Sequence, residues 1–232
     1  GSNGTNPVGD LFGSKSLDLA ISWANSLNLE TTLIINPGIY DVNLTSVASN
    51  NFSKLKLIGN KYGRKYPVIR LKLVCEDRDS LGNKNIILGN HLESLYFDSS
   101  SEFQSVRPTF DVISTSSQNS VHLIEIKDCV FMNTSLNIFE PGSTFTDQLS
   151  NTNIAQISIK DCSFKQTGVF DDNISLVCPR SHLINIENCY FTGNGYAVNI
   201  GTETYSTTDI NSSNITLKNV TANLKISINI KL

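Results

Sequence analysis

The chain has 232 residues, a net charge of −3 and only 17% charged side chains. That balance supplies no basic stripe and argues against a nucleic-acid partner. No run approaches 18 consecutive apolar residues, so no membrane span is expected, and the sustained apolar periodicity described below argues against a disordered chain.

Gly1 and Ser2 read as a remnant of tag cleavage, and residues 1–9 as a flexible leader. From Ser16 to Asn28, Leu17, Ala20, Ile21, Ala24 and Leu27 share one helical face, with Ser16 placed to cap the first turn. Thr31–Ile35 then reads as a strand, and Asn36-Pro-Gly-Ile-Tyr40 as a turn into the next one. A helix here solves a specific problem, because the open end of a strand stack exposes unpaired edges and an apolar plug. Residues 10–42 are therefore expected to form a capping helix and first coil, and residues 43–232 the remaining coils of a single domain. Leu55–Leu57 and Val68–Leu71 look like two early, irregular coils. Leu95–Phe97 looks like another, 29 residues before Ile124.

From Ile124 onward one phrase recurs. It reads Ile124-Glu-Ile-Lys-Asp-Cys-Val-Phe131, Ile157-Ser-Ile-Lys-Asp-Cys-Ser-Phe164, Ile184-Asn-Ile-Glu-Asn-Cys-Tyr-Phe191 and, weaker, Ile215-Thr-Leu-Lys-Asn-Val-Thr-Ala222. A phrase repeated at this period marks stacked units that bury their faces against one another. Alternating Ile residues give a strand with one face inward. The following Asp128, Asp161, Asn188 or Asn219 can turn the chain through side-chain hydrogen bonds. A further short strand follows each phrase, at Leu136–Ile138, Ile174–Leu176, Val198–Ile200 and Ile228–Ile230. No segment between repeats suits a crossover helix, which excludes a doubly wound α/β fold. A leucine-rich-repeat solenoid is disfavoured because its L-x-x-L-x-L-x-x-N pattern is missing. The expected fold is all-β: a right-handed single-stranded parallel β-helix with an Asp/Asn ladder at one corner and Cys and Phe columns inside.

Cys129, Cys162 and Cys189 hold one register and read as small buried hydrophobes; with Cys75 and Cys178 they form no C-x-x-C pair, so no zinc site is expected. There are 27 Asn residues and eight N-x-S/T sequons, at Asn3, Asn43, Asn51, Asn133, Asn173, Asn211, Asn214 and Asn219. The chain stops in mid-pattern at Ile228-Asn-Ile-Lys-Leu232, which points to a covering subunit or a longer protein. His91, His122 and His182 precede the longer strands and read as structural. Trp23 reads as helix packing. Tyr62, Tyr66, Tyr190 and Tyr205 are scattered and make no evident stacking platform.

The helix, the L-I-I-N-P-G-I-Y turn and the repeated I-x-I-x-[DN]-C-x-F resemble the pectin-lyase-like β-helix superfamily. Residues 10–42 are similar to the first coil of many phage tailspikes and surface polysaccharide enzymes. Within the superfamily, polygalacturonases carry N-T-D, G-D-D, G-H-G and R-I-K on consecutive coils. Phe170-Asp171-Asp172-Asn-Ile-Ser-Leu176 resembles the G-D-D segment, Gly195-Tyr196-Ala-Val-Asn-Ile-Gly201 the G-H-G segment and Asn229-Ile-Lys231 the R-I-K segment. Tyr196 stands where that family has histidine and Asn229 where it has arginine, and Ser135-Leu-Asn-Ile138 replaces N-T-D.

The face of the shorter strand is where the resemblance places chemistry. Its outward column is expected to be Asn137, Ser175, Asn199 and Asn229, polar and uncharged, suited to the hydroxyls of a glycan. Asp171 and Asp172, with Tyr196 and Lys231 from neighbouring coils, are the candidate catalytic set. Such a carboxylate pair can act as acid and base or hold Ca²⁺, although no cofactor is otherwise expected. Two functions follow. The favoured one is a rigid, glycan-binding module of a virion (phage tail-type) appendage or cell-surface protein, extracellular, with a homotrimer implied by the tailspike resemblance. The alternative is a polysaccharide hydrolase or lyase centred on Asp171 and Asp172.

Overall fold

A computed structural model of the protein describes residues 17–27, 29–42, 55–71, 86–87, 91–98, 109–113, 123–139, 156–167, 174–178, 183–193, 196–200, 214–223 and 225–228. Strands within this set join three sheets. The first contains Thr31–Ile35, Leu55–Gly59, His91–Glu93, Leu123–Lys127, Gln156–Lys160, Leu183–Glu187 and Asn214–Lys218. The second contains Ile39–Val42, Val68–Leu71, Tyr96–Asp98, Val130–Met132, Ser163–Gln166, Tyr190–Gly193 and Thr221–Ala222. The third contains Ile86–Ile87, Thr109–Ile113, Ser135–Phe139, Ile174–Cys178, Tyr196–Ile200 and Lys225–Ile228. Each sheet takes one strand from each successive turn of chain, and the pairings are parallel. A chain wound this way is a three-sided parallel β-helix, with seven coils in the first sheet.

The pairings revise the alignment of the early coils. Leu55–Gly59 and Val68–Leu71 are two sides of one coil, not two coils. Tyr96 stands level with Val130, and Leu92 with Ile126, so Leu95–Phe97 matches the Cys129–Phe131 part of the phrase rather than its start. In the last coil the third-sheet strand is Lys225–Ile228, earlier than the Ile228–Ile230 expected from the pattern.

The interior is built from columns, because a register repeated coil after coil places like residues one strand spacing apart. Ile126, Ile159 and Ile186 line one column and are fully buried. Phe97, Phe131, Phe164 and Phe191 form another, with ring centroids 5.0, 4.7 and 4.7 Å apart and nearly parallel planes. Ile69 and Ala222 continue it at either end. Offset stacks of this kind add about 0.5–1.5 kcal/mol per pair beyond area burial. Cys129, Cys162 and Cys189 are buried free thiols whose Sγ atoms contact the carbonyls of Lys127, Lys160 and Glu187 at 3.2, 3.1 and 3.3 Å. Burial pushes the Cys162 thiol well up, which disfavours the reactive thiolate there.

The helix Leu17–Ser26 lies against the first coil. Leu17, Ala20, Ile21 and Ala24 are buried and Trp23 packs on the same core, whereas Leu27 falls beyond the last helical turn and is exposed. Among the described residues no helix is long and apolar enough to cross a membrane.

Candidate functional site

Asp171, Asp172, Asn229 and Lys231 lie outside the described residues. Tyr196 opens its third-sheet strand, level with Ile174 on one side and Lys225 on the other. Asn137 and Asn199 do occupy one column, but Val177 stands between them and Ser175 lies two residues earlier. Ser227 is level with Asn199, the place expected for Asn229, and Asp111 precedes Asn137. The column therefore reads Asp111, Asn137, Val177, Asn199, Ser227. It is neither wholly polar nor uncharged. The expected column fails because the turns into these strands differ in length, which period-two alternation within a strand cannot reveal.

The clearest polar geometry lies at the corner between the first and second sheets. Ser94, Asp128, Asp161, Asn188 and Asn219 occupy it with φ of 50–55°. Asn and Asp tolerate this left-handed conformation better than most side chains. The backbone keeps its ladder through the bend: Asp128 N–H donates to Lys160 O, Asp161 N–H to Glu187 O and Asn188 N–H to Lys218 O, at 2.9–3.0 Å. The side chains form a second ladder. Asn219 Nδ2 donates to Asn188 Oδ1, and Asn188 Nδ2 to Asp161 Oδ1, each at 3.0 Å. Near the other end Asn60 Nδ2 donates to Asn36 Oδ1 at 2.9 Å.

Between Asp161 and Asp128 such a ladder cannot continue, since two carboxylates offer only acceptors. Asp128 draws its donors from elsewhere. Ser94 Oγ donates at 2.7 Å, Tyr66 Oη at 2.8 Å, and Lys61 Nζ lies 3.0 and 3.2 Å from the two carboxylate oxygens. Lys61 also donates to Tyr66 Oη at 2.9 Å and sits 4.2 Å from that ring's centroid. Burial raises the Asp128 carboxyl, but the bonds from Ser94, Lys61 and Tyr66 together outweigh it and hold the group below the ordinary range. The Tyr66 hydroxyl is raised, by burial first, so it holds its proton more firmly than an ordinary tyrosine. Lys61 is raised, chiefly by its bonds to Tyr66 and Asp128.

Lys61 and Tyr66 bracket a tight turn that leaves the wall after Gly59. Tyr62 and Lys65 pair across it, with N···O distances of 3.0 and 3.3 Å, and Gly63 takes φ 61° at its tip. Tyr62 is 82% exposed, and Arg64 and Lys65 are exposed beside it. Neither cation joins an ion pair among the described residues. Sequence patterns miss this cluster, since Lys61 and Asp128 are 67 residues apart. The short K-Y-G-R-K-Y run is its one local signal.

Elsewhere the outer face of the first sheet carries charges that pair from coil to coil: Glu30 with Lys56, Glu93 with Lys127, and Glu187 with both Lys160 and Lys218. His91 lies between Glu93 and Glu125, with Nε2 and Nδ1 at 3.2 and 3.1 Å from their carboxylates. The two carboxylates meet different ring nitrogens, and among the described residues no three His, Cys, Asp or Glu side chains form a metal-holding group. Comparison with protein-family models, curated proteins and solved structures returns no match.

Proposed function

We propose that this protein is a rigid, non-catalytic β-helix module of a virion appendage or cell-surface protein, extracellular, and that it binds glycans. The observation that carries the reading is the outer corner of the coil. There Asn36 with Asn60, and Asp161 with Asn188 and Asn219, stand as amide and carboxylate groups on a wall braced by continuous backbone ladders. Each paired amide keeps a donor or an acceptor for a further partner, which matches hydroxyl-rich ligands. A wall this rigid loses little conformational entropy when a ligand settles on it. The ionic cluster at Asp128 supports binding over catalysis: Asp128, Lys61 and Tyr66 satisfy one another, and the shifts on Lys61 and Tyr66 favour their protonated forms. The pectin-lyase-like resemblance adds a superfamily in which such modules occur beside enzymes, and it supplies the expectation of a homotrimer.

The test is retention of the intact chain on a panel of immobilised acidic and neutral polysaccharides, with reducing ends and unsaturated-product absorbance followed in the same samples. Retention without product is expected. Product from the native chain, lost in the Asp171→Ala/Asp172→Ala variant, would replace the module with a polysaccharide-degrading enzyme. Failure to retain any polysaccharide, without product, would remove the glycan.

A further inference from the structure

We infer that the Tyr62–Lys65 turn is the contact point for an acidic glycan, one whose sugars carry carboxylate or sulfate groups. The inference rests on the glycan-binding reading and adds to it a place and a charge.

Three observations meet at this turn. The first is composition: Tyr62, Arg64 and Lys65 are close together and exposed on a chain whose net charge is −3. The chain thus concentrates cations at a spot that the overall balance does not require. Arg64 presents a planar fork that matches a carboxylate or sulfate in two parallel hydrogen bonds, and Lys65 adds a compact charge. Tyr62 presents a flat ring to the apolar face of a sugar. Tyrosine and arginine are also among the side chains that most often dominate binding surfaces.

The second observation is mechanical. A surface turn of four residues would ordinarily lose entropy on binding. This one is held at both feet. Lys61 and Tyr66 bond each other and both reach Asp128, crossing the third coil to the fourth. Pro67 is buried just beyond, and Val68 N–H is bonded to Gly38 O at 2.8 Å. The clasp neutralises the charge of Lys61, leaving Arg64 and Lys65 as the cations of this turn available to a ligand. A fixed platform bearing these charges lets a weakly structured polymer bind without ordering the protein as well.

The third observation selects the class of anion. The turn begins directly after Asn60, whose amide is paired with Asn36 and exposed like it. Two cations and an aromatic ring thus follow, within five residues of chain, an exposed amide pair with spare hydrogen-bonding capacity. That combination fits a ligand that is both anionic and rich in hydroxyls. A nucleic acid would need a longer basic track than two side chains, and the acidic balance of the chain opposes it. An acidic protein segment would use the cations but leave the amide pair idle.

The experiment compares the full chain with Arg64→Ala/Lys65→Ala and with Tyr62→Ala. The probes are polygalacturonate, a sulfated dextran and neutral dextran, with binding read by calorimetry at two salt concentrations. All three substituted side chains are exposed, and unchanged melting temperatures would show intact folds. The native chain is expected to bind polygalacturonate or sulfated dextran more tightly than neutral dextran, and less tightly at higher salt. The double variant should lose about tenfold or more, and Tyr62→Ala less, because charge-assisted hydrogen bonds are the stronger contacts. Whether the uronate or the sulfate polymer binds decides which anion the turn takes. Equal affinity for neutral dextran, or acidic-glycan binding untouched in the double variant, would overturn the turn while leaving the glycan module standing. Binding to no polysaccharide would overturn both. Capture of an acidic protein or an oligonucleotide through Arg64 and Lys65, with no glycan bound, would likewise reject the inference.

Discussion

Asn188 and Asp128 occupy the same corner of the coil in the same left-handed conformation, with φ of 52° and 50°. Their solutions to one problem differ. Asn188 carries donor and acceptor on one side chain, so it bonds Asp161 on one side and Asn219 on the other. That part of the ladder is self-contained. Asp128 faces a carboxylate on the next coil and has nothing to exchange with Asp161. It is satisfied by Ser94 and by two residues from a turn rooted in the second coil. One Asn-to-Asp difference in the repeat is thus tied to a Lys–Tyr clasp and to a charged turn standing off the wall. Repetition stabilises an architecture, and a departure from it marks where the surface becomes individual.

The comparison can be broken hardest at Gly59, which leads into the clasped turn. A Cβ there would lie 2.0 Å from the Ser94 carbonyl oxygen, so the backbone of the next coil must move. Gly59→Ala is expected to cost about 3 kcal/mol, with the loss read in a denaturant melt. Next comes the self-contained ladder. Asn188→Val removes both amide bonds and forces a β-branched residue into the left-handed region, for about 2 kcal/mol. Asn188→Gly, which keeps the conformation available, should recover part of that loss. Equal destabilisation by the two variants would mean that the conformation contributes nothing.

Titration sharpens the contrast. Asp128 is held below its ordinary value, so its contribution is complete above the unfolded-state pKa of about 3.9 and is lost as pH falls through the lower folded value. Lys61 and Tyr66 are both raised, so their contribution is complete below about pH 10 and fades as pH rises through their folded values. Asp128→Asn can resume an amide ladder but cannot pair Lys61 as an ion. The gap in melting temperature between it and the native chain should be widest near neutrality and close below about pH 4. A constant gap from neutral to strongly acidic pH would contradict the clasp. The smallest effect is expected on the outer face of the first sheet, where Glu187→Gln removes surface pairings with the exposed Lys160 and Lys218 and should leave the melting temperature nearly unchanged at physiological salt.

Much of the coil is legible in the order of its residues. The alternating Ile positions, the Asp or Asn after them, and the Cys and Phe columns map onto adjacent coils because one backbone geometry recurs and every register slip would turn an apolar face to water. Leu95–Phe97 misaligns for the converse reason. That coil carries Ser94 and Leu95 where later coils have Asp or Asn and then Cys or Val, and its first strand, His91–Glu93, keeps only Leu92 of the Ile pair. The Asn137 column departs from expectation where turn length varies between coils. Tyr62 and Tyr66 read only as scattered tyrosines along the chain, since their meaning depends on Asp128.

By itself the sequence determined the parallel coil, its columns and the helix placed against the first coil. Each of these follows from local periodicity and from apolar faces that must be covered. Tertiary structure decided which residues share a level on the third sheet and which partner each corner carboxylate finds. It also decided that the short run from Lys61 to Tyr66 on the second coil is pinned to the fourth. The last of these rests on a contact between coils, the 3.0 Å approach of a lysine to a carboxylate 67 residues away. No pattern along a single stretch of chain encodes that distance.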